Sequence, residues 1–171
     1  MARAFVAIGS NIDPAANVRK AIRELSLQEG VIAISTVYLS EPEGGLTQPS
    51  FYNCVVALET ETPPQQLKRV LRDIEARLGR VRTSDKFAAR SADLDLILYD
   101  GVVLDTPDLL LPDPEIAARP FLAIPLSELA PDLALPGTGA RISELAARLP
   151  KDTIRPLGAY TARLRRTLSP R

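Results

Sequence analysis

The sequence of 171 residues has no histidine, no tryptophan and a single cysteine, Cys54. Without histidine, the chain cannot use Ser-His-Asp or Cys-His catalysis, an imidazole general base, or a zinc or haem site with a histidine ligand. One cysteine cannot form a disulfide within the chain or a cage of thiolates around a metal. Any chemistry must therefore use carboxylates, arginines, lysines, hydroxyls, backbone amides or bound ions.

Long apolar runs and an excess of charge of either sign are also lacking. No stretch reaches the about eighteen apolar residues of a membrane-spanning helix, and residues 1–11 lack the features of a signal peptide. The chain carries 21 basic and 21 acidic residues, which gives no reason to expect a nucleic acid or an anionic membrane as a partner. We therefore expect a cytoplasmic protein that binds neither.

The order of the predicted elements indicates the fold class. Two strand–helix–strand units follow each other, which predicts an α+β, ferredoxin-like sandwich with helices on one face of a mainly antiparallel sheet. Because the chain has no repeat and no linker, we expect one domain over residues 1–160, followed by a basic C-terminal tail over 161–171. The predicted strands cover 3–8, 31–38, 51–59 and 93–99, and the predicted helices begin near Pro14, Pro64 and Ile142.

Two aspartates alternate along the strand predicted at 93–99. Residues two apart on a strand project from the same face, so Asp93 and Asp95 point together with Cβ atoms about 6 to 7 Å apart. Two carboxylates at this spacing can hold one Mg²⁺, or two ions clamped on a polyphosphate. A solvated strand face is the alternative, but aspartate forms strands poorly, which favours a functional role.

A basic segment precedes this strand. Residues 68–90 contain eight basic and three acidic residues in a chain that is neutral overall. Arg80, Arg82 and Arg90 lie where the chain enters the aspartate strand, and guanidinium groups suit phosphate oxygens. With the aspartates they predict metal-assisted phosphoryl chemistry, although a solubilising surface is the alternative. The glycine-rich motifs of P-loop and Rossmann nucleotide sites are both absent from the sequence.

Six segments occur in the order of the 6-hydroxymethyl-7,8-dihydropterin pyrophosphokinase family, which the chain resembles from about Phe5 to about Leu133. Each segment alone is a weak signal, but the ordered set is highly specific. The segments are Ile8–Asn11, Gln48–Asn53, Ile74–Glu75, Gly79–Arg82, Arg90–Leu98 and Arg119–Leu126.

This resemblance implies an enzyme of folate biosynthesis. The reaction it implies is Mg²⁺-dependent transfer of a pyrophosphoryl group from ATP to the hydroxymethyl oxygen of the pterin, with release of AMP and two Mg²⁺ ions bound. The implied partners are these two small molecules, and we expect a monomer. Charge neutralisation and positioning by ions and arginines can support such a transfer without histidine.

The resemblance also implies roles for individual residues. For the residues that spacing and local charge had not already suggested, a purely structural role is the alternative. Such roles are those of core aromatics, a strand-end amide, a helix-face ion pair and a helix-end cation. The implied catalytic residues are Asp93, Asp95, Arg80 and Arg90, with the two aspartates as metal ligands; Phe51, Phe121 and Asn53 would bind the pterin, and Glu75, Arg82 and Arg119 the nucleotide.

Two departures from the family pattern leave another function open. Phe87-Ala88-Ala89-Arg90 stands where the family usually has an aromatic residue followed by Gly-Pro-Arg, and Asp113 stands where it commonly has a histidine that contacts the nucleotide. No role is predicted for Asp113. The alternative is a non-catalytic pterin- or nucleotide-binding module of the same fold. An RNA-binding domain is disfavoured because the eight aromatic residues are too dispersed for a base-stacking platform.

Overall fold

An antiparallel sheet of six strands forms the centre of the computed structural model, which describes residues 1–45, 47–80, 84 and 90–168. Across this sheet the order is fifth, first, fourth, third and eighth strand, and the second strand also pairs with the fourth. The sixth and seventh strands form a separate two-stranded ribbon. In chain order the strands are β1 (Ala2–Ser10), β2 (Gly30–Ile34), β3 (Tyr38–Ser40), β4 (Phe51–Thr60), β5 (Asp93–Tyr99), β6 (Leu104–Asp105), β7 (Leu110–Leu111) and β8 (Ile154–Pro156).

Helices cover both faces of the sheet. One apolar core contains Val6 of β1 together with buried residues of α1 and α2, and a second contains Phe5 of β1 together with residues of α3 and α4. The α+β class and the antiparallel sheet are confirmed, whereas the expectation of helices on one face only is wrong. The helices are α1 (Pro14–Gln28), α2 (Pro64–Arg77), α3 (Pro120–Leu129), α4 (Ile142–Arg148) and α5 (Gly158–Leu168), with 3-10 helices at Glu43–Gly45 and Pro114–Ala117.

The alternation of side chains along the strands divides these two cores. On β5, Leu94 and Leu96 pack with α1 and α2, while Ile97 packs with α3. Asp93 and Asp95 therefore lie on the α3 face, because residues two apart share a face. The functional residues predicted on β5 thus lie on the face of the sheet that packs against the second core.

The C-terminal segment forms regular structure. β8 pairs with β3, and α5 buries Thr161 and Leu164. The Thr161 hydroxyl accepts a hydrogen bond of 2.9 Å from the Val37 amide. Residues 161–168, predicted as part of a basic tail, therefore belong to a packed helix; 169–171 lie outside the described residues. In the described part of the chain, no helix is long and apolar enough to cross a bilayer.

Candidate active site

Three neighbouring strands carry a row of residues across the α3 face of the sheet. Gly9 on β1 pairs with Asp93 on β5 and with Asn53 on β4, and Ala7 pairs with Asp95. Directly paired residues of antiparallel strands project from the same face. The predicted metal ligands and the predicted pterin-binding amide therefore lie side by side, separated by a strand that has no side chain at Gly9.

A cavity of about 470 Å³ opens over this row. Its volume lies in the range of small-molecule sites, about 300 to 1,000 Å³. Phe51 begins β4 and Phe121 lies in the first turn of α3, and both half-buried rings contribute to the wall. Seven of the ten predicted site residues line the cavity, namely Phe51, Asn53, Arg90, Asp93, Asp95, Arg119 and Phe121.

Two arginines hold Asp93. Nη1 of Arg80 donates to Asp93 Oδ1 and also to Glu75 Oε2, and Nη1 of Arg90 donates to Asp93 Oδ2 at 2.7 Å. The side chains of Glu75 and Arg80 are only 3% and 13% exposed. Glu75 and Arg80 therefore do not line the cavity; they form an ion-pair network that supports Asp93.

The backbone that carries Arg90 is fixed by the turn after β1. The Arg90 amide donates to Asn11 Oδ1 at 2.7 Å, and the Ser10 hydroxyl donates to the Ser91 carbonyl at 2.6 Å. Asn11 Nδ2 also donates to Gln48 Oε1 at 3.1 Å. Ser10 and Asn11 belong to a segment that the sequence resemblance included without a role, and their contacts give them one: they position the start of the aspartate strand.

Asp95 differs from Asp93 because none of the described residues forms a hydrogen bond to its carboxylate. The pKa of Asp95 is raised to about 7, first because the cavity walls displace water and then because of the negative charges of Asp93, Glu75 and Asp113; Arg80 partly offsets these effects. Its side chain is nevertheless exposed to the cavity. A carboxylate with a disfavoured charge gains from a bound cation.

Asn53 is oriented from two sides. Its Nδ2 donates to the Ser40 hydroxyl at 2.5 Å. Its Oδ1 lies where a Cβ on Gly9 would approach to 3.0 Å, closer than about nine in ten real contacts of this kind. Glycine at position 9 thus leaves room for the amide, and neither Gly9 nor Ser40 was predicted as a site residue.

Arg119 also lines the cavity and contacts two carboxylates. Its Nε donates to Glu115 Oε2 at 2.6 Å, and its Nη1 lies 2.8 Å from Glu43 Oε1. Asp113 is the N-cap residue of the 3-10 helix Pro114–Ala117, and its carboxylate accepts a hydrogen bond of 2.9 Å from the Glu115 amide. Burial is the main cause that raises the pKa of Asp113. In this chain, Asp113 therefore caps the segment that leads to Arg119.

The structure thus brings together nine of the ten predicted site residues, in the cavity or in the network behind Asp93. Arg82 lies outside the described residues, as do Phe87, Ala88 and Ala89. Besides Ser10 and Asn11, sequence reasoning missed the roles of Gly9, Ser40, Glu43 and Glu115. Gly9 is part of a recognised segment, but its role depends on strand pairing; no local signal marks the other three.

Comparison with protein families gives one model that matches residues 5–131, described as 7,8-dihydro-6-hydroxymethylpterin-pyrophosphokinase. A protein of Pseudomonas aeruginosa named 2-amino-4-hydroxy-6-hydroxymethyldihydropteridine pyrophosphokinase is 39% identical over 155 residues, which cover 89% of this chain and 94% of the relative. A protein of Methylorubrum extorquens with the same name is 39% identical over 144 residues, which cover 82% of this chain and 90% of the relative.

Solved structures are similar in fold. A Plasmodium falciparum HPPK-DHPS structure matches with a TM-score of 0.65 and 13% identity over 86% of this chain. A second HPPK-DHPS structure, described as a complex with substrates, matches with a TM-score of 0.68 and 12% identity over 85% of this chain. In both cases the chain spans 43% of the length of the solved protein.

Proposed function

The chain belongs to the 7,8-dihydro-6-hydroxymethylpterin-pyrophosphokinase family, and on that premise we propose how it performs this reaction. It transfers a pyrophosphoryl group from ATP to the hydroxymethyl group of 6-hydroxymethyl-7,8-dihydropterin, releasing AMP, in folate biosynthesis. In the proposed arrangement, Asp93 and Asp95 hold Mg²⁺, and the pterin and the nucleotide occupy different parts of the cavity. The main support for the proposal is the row Asp93–Gly9–Asn53. It places a carboxylate that can bind a metal ion beside an amide that can form hydrogen bonds to the edge of the pterin ring.

The residues present fit a magnesium site. Mg²⁺ prefers oxygen ligands and is commonly held by one or two carboxylates together with water and substrate phosphates. Among the described residues, no cluster of three or more acidic, cysteine or histidine side chains forms a complete cage. Two aspartates beside a polyphosphate match that preference, and burial together with the neighbouring carboxylates raises the pKa of Asp95, so a cation bound there would stabilise its charged form. Bound Mg²⁺ would supply neutralisation of the phosphate charge.

The pterin part of the site uses stacking and an edge contact. Phe51 and Phe121 offer apolar faces to a flat ring, and the amide of Asn53 offers both a donor and an acceptor for its edge. Ser40 holds one end of that amide, so its orientation is set before the substrate binds. Preorganised polar groups fix the orientation of a bound ligand and thereby give a pocket its specificity.

The chemical step forms a bond from the hydroxymethyl oxygen to the β-phosphorus and breaks the bond from that phosphorus to the α,β-bridging oxygen. The hydroxyl proton is released, and AMP leaves. Such transfers need positioning and charge stabilisation more than covalent help. Arg90 and Arg119, both at the cavity, would neutralise phosphate charge, with Arg80 and Glu75 holding Asp93. We assign Arg82 to the nucleotide as well, from the family pattern.

We extend the proposal to the surroundings of the enzyme. The two small molecules are its substrates, no nucleic acid or membrane takes part, and the protein acts as a monomer in the cytoplasm. The balanced charge of the chain, 21 basic against 21 acidic residues, supports the absence of a nucleic-acid or membrane partner.

A count of nucleotide products tests the proposed function. Incubation with ATP, Mg²⁺ and hydroxymethyldihydropterin should release one AMP for each pterin product. Removal of divalent cations with EDTA should stop both, and added Mg²⁺ should restore both. Release of ADP, or turnover that persists in EDTA, would contradict the proposal.

Gly9→Ala should weaken pterin binding selectively. The new Cβ would lie 3.0 Å from Asn53 Oδ1, so the amide must shift away from the orientation that Ser40 sets. We expect a loss of pterin affinity of about 10-fold, the value of roughly one displaced hydrogen bond, and little change for the nucleotide. Calorimetry with each ligand measures this difference.

The matched control for this variant is Gly101→Ala, because no atom lies within 4 Å of a Cβ built there. It should bind the pterin as the wild type does. Equal pterin affinity in Gly9→Ala and Gly101→Ala would show that the orientation of Asn53 does not require glycine at position 9.

A further inference from the structure

The ion pair between Glu43 and Arg119 joins two walls of the cavity. Glu43 begins the Glu43–Gly45 turn, in the connection that leads from β3 to Phe51, and Arg119 lies two residues before Phe121. Arg119 Nη1 and Glu43 Oε1 are 2.8 Å apart, and both residues line the cavity. Their side chains are 40% and 44% exposed, so the pair lies at the rim, where water and a ligand can both reach it.

The second carboxylate that contacts Arg119 belongs to Glu115, which is close to Arg119 in the sequence. Glu115 lies four residues before Arg119 and accepts from its Nε at 2.6 Å. A bond of this kind lies within one short segment, so it constrains only the local side chains. The Glu43 bond instead holds a separate turn against the wall that carries Phe121.

We propose that Glu43 and the phosphate groups of the nucleotide compete for Arg119, so that nucleotide binding releases the Glu43–Gly45 turn from the rim of the cavity. This inference rests on the proposed function, because it takes the nucleotide polyphosphate as the anion that Arg119 receives. Arginine binds phosphate best with its fork of donors available, and one of those donors is committed to Glu43. A carboxylate retained there would also repel the incoming phosphate.

The expected strength of the ion pair suits a reversible contact. Exposed pairs change an equilibrium constant by about 2- to 5-fold, which is small beside the affinity of a polyphosphate for arginine and a divalent cation. The nucleotide can therefore displace Glu43. By linkage, whatever holds Glu43 on Arg119 lowers nucleotide affinity by the same factor.

The test compares Glu43→Gln with Glu115→Gln, which removes the same charge from the same guanidinium without involving the turn. The probe is the Mg²⁺ complex of α,β-methylene ATP, in which the bond that the reaction breaks is replaced. Calorimetry should give Glu43→Gln an affinity about 2- to 5-fold higher than that of the wild type. Amide hydrogen exchange at Glu43 and Gly44 should increase in the wild type and in Glu115→Gln when the probe binds. In Glu43→Gln, exchange at this turn should be fast already and should not respond.

Two results would overturn the competition: equal nucleotide affinity in Glu43→Gln and wild type, or exchange at the turn that the probe leaves unchanged in the wild type. Failure of the proposed function looks different, because the wild type would then release no AMP in the product assay, whether or not it binds the probe. In that case, amide hydrogen exchange in the ligand-free proteins still tests the contact between Glu43 and Arg119. If free Glu43→Gln exchanges at the turn no faster than free wild type, the ion pair does not hold the turn.

Discussion

Asp95→Asn should lower turnover by about 10²- to 10³-fold while pterin affinity changes by less than about 2-fold. The amide keeps the shape of the side chain but loses the charge that attracts a cation, and charge stabilisation by a metal ion is worth several kcal/mol in a transition state. Asn53 and the two phenylalanines lie elsewhere on the cavity wall, so the pterin contacts remain. Steady-state kinetics and calorimetry with the pterin measure the two effects separately.

The same variant should be more stable than the wild type when no metal is present. The pKa of Asp95 is raised to about 7 in the folded protein, against about 3.9 in an unfolded chain. Between pH 4 and pH 7 the folded state therefore binds more protons, and stability falls as the pH rises. Because the side chain is exposed to the cavity, we expect a gain for Asp95→Asn of only about 1 kcal/mol at pH 8 after allowing for solvent screening. The gain should vanish near pH 4.

Asp105→Asn is the control, because Asp105 is exposed on β6 and does not line the cavity. It should match the wild type in turnover. If Asp95→Asn retains more than about a tenth of the wild-type turnover, Asp95 is not an essential metal ligand. If the variant loses its fold, Asp95 is a structural residue.

Arg80→Met should destabilise the protein by about 2 to 3 kcal/mol, which lowers the melting temperature by about 5 to 10 °C. The guanidinium contacts two carboxylates that are largely buried, Glu75 at 3% exposure and Asp93 at 16%. Removing it takes positive charge away from both, and buried charge is expensive to leave undercompensated. Thermal unfolding followed by circular dichroism measures the change.

A comparison with Arg77→Met shows how much of the destabilisation depends on the burial of the ion pair, because both variants remove one arginine charge. Arg77 is the last residue of α2, the helix that carries Glu75, and pairs with Glu24 at 3.4 Å, but the two side chains are 56% and 34% exposed. Its loss should cost less than about 1 kcal/mol. The cost of Arg80→Met should also shrink in a Glu75→Gln background, where one of the two charges is gone. A cost equal to that of Arg77→Met would contradict a supporting role for this network.

The parts of the site that could be predicted are those encoded within one element. Asp93 and Asp95 alternate on a strand, so their common face follows from the period of a strand, and the arginines next to them follow from local charge. The resemblance added Phe51, Asn53 and Phe121 because it carries information from related chains. All of these residues line the cavity, apart from Arg80 behind Asp93 and Arg82 outside the described residues.

The parts that could not be predicted depend on contacts between distant segments. Gly9 gains its role from being paired with both Asp93 and Asn53, and this register depends on how three strands align. Glu43 and Arg119 meet only in the folded chain. The sequence predicts a basic tail over residues 161–171 because arginines dominate its composition. Residues 161–168 instead belong to α5, in which only Thr161 and Leu164 are buried.

The most direct measurement follows the two ends of ATP through the reaction. With Mg²⁺ and hydroxymethyldihydropterin, ATP labelled at the α-phosphate should give labelled AMP, and ATP labelled at the γ-phosphate should give a labelled pterin in equal amount. Neither product should form in EDTA. Label from the α-phosphate that appears in ADP would show transfer of a single phosphoryl group and would contradict the account.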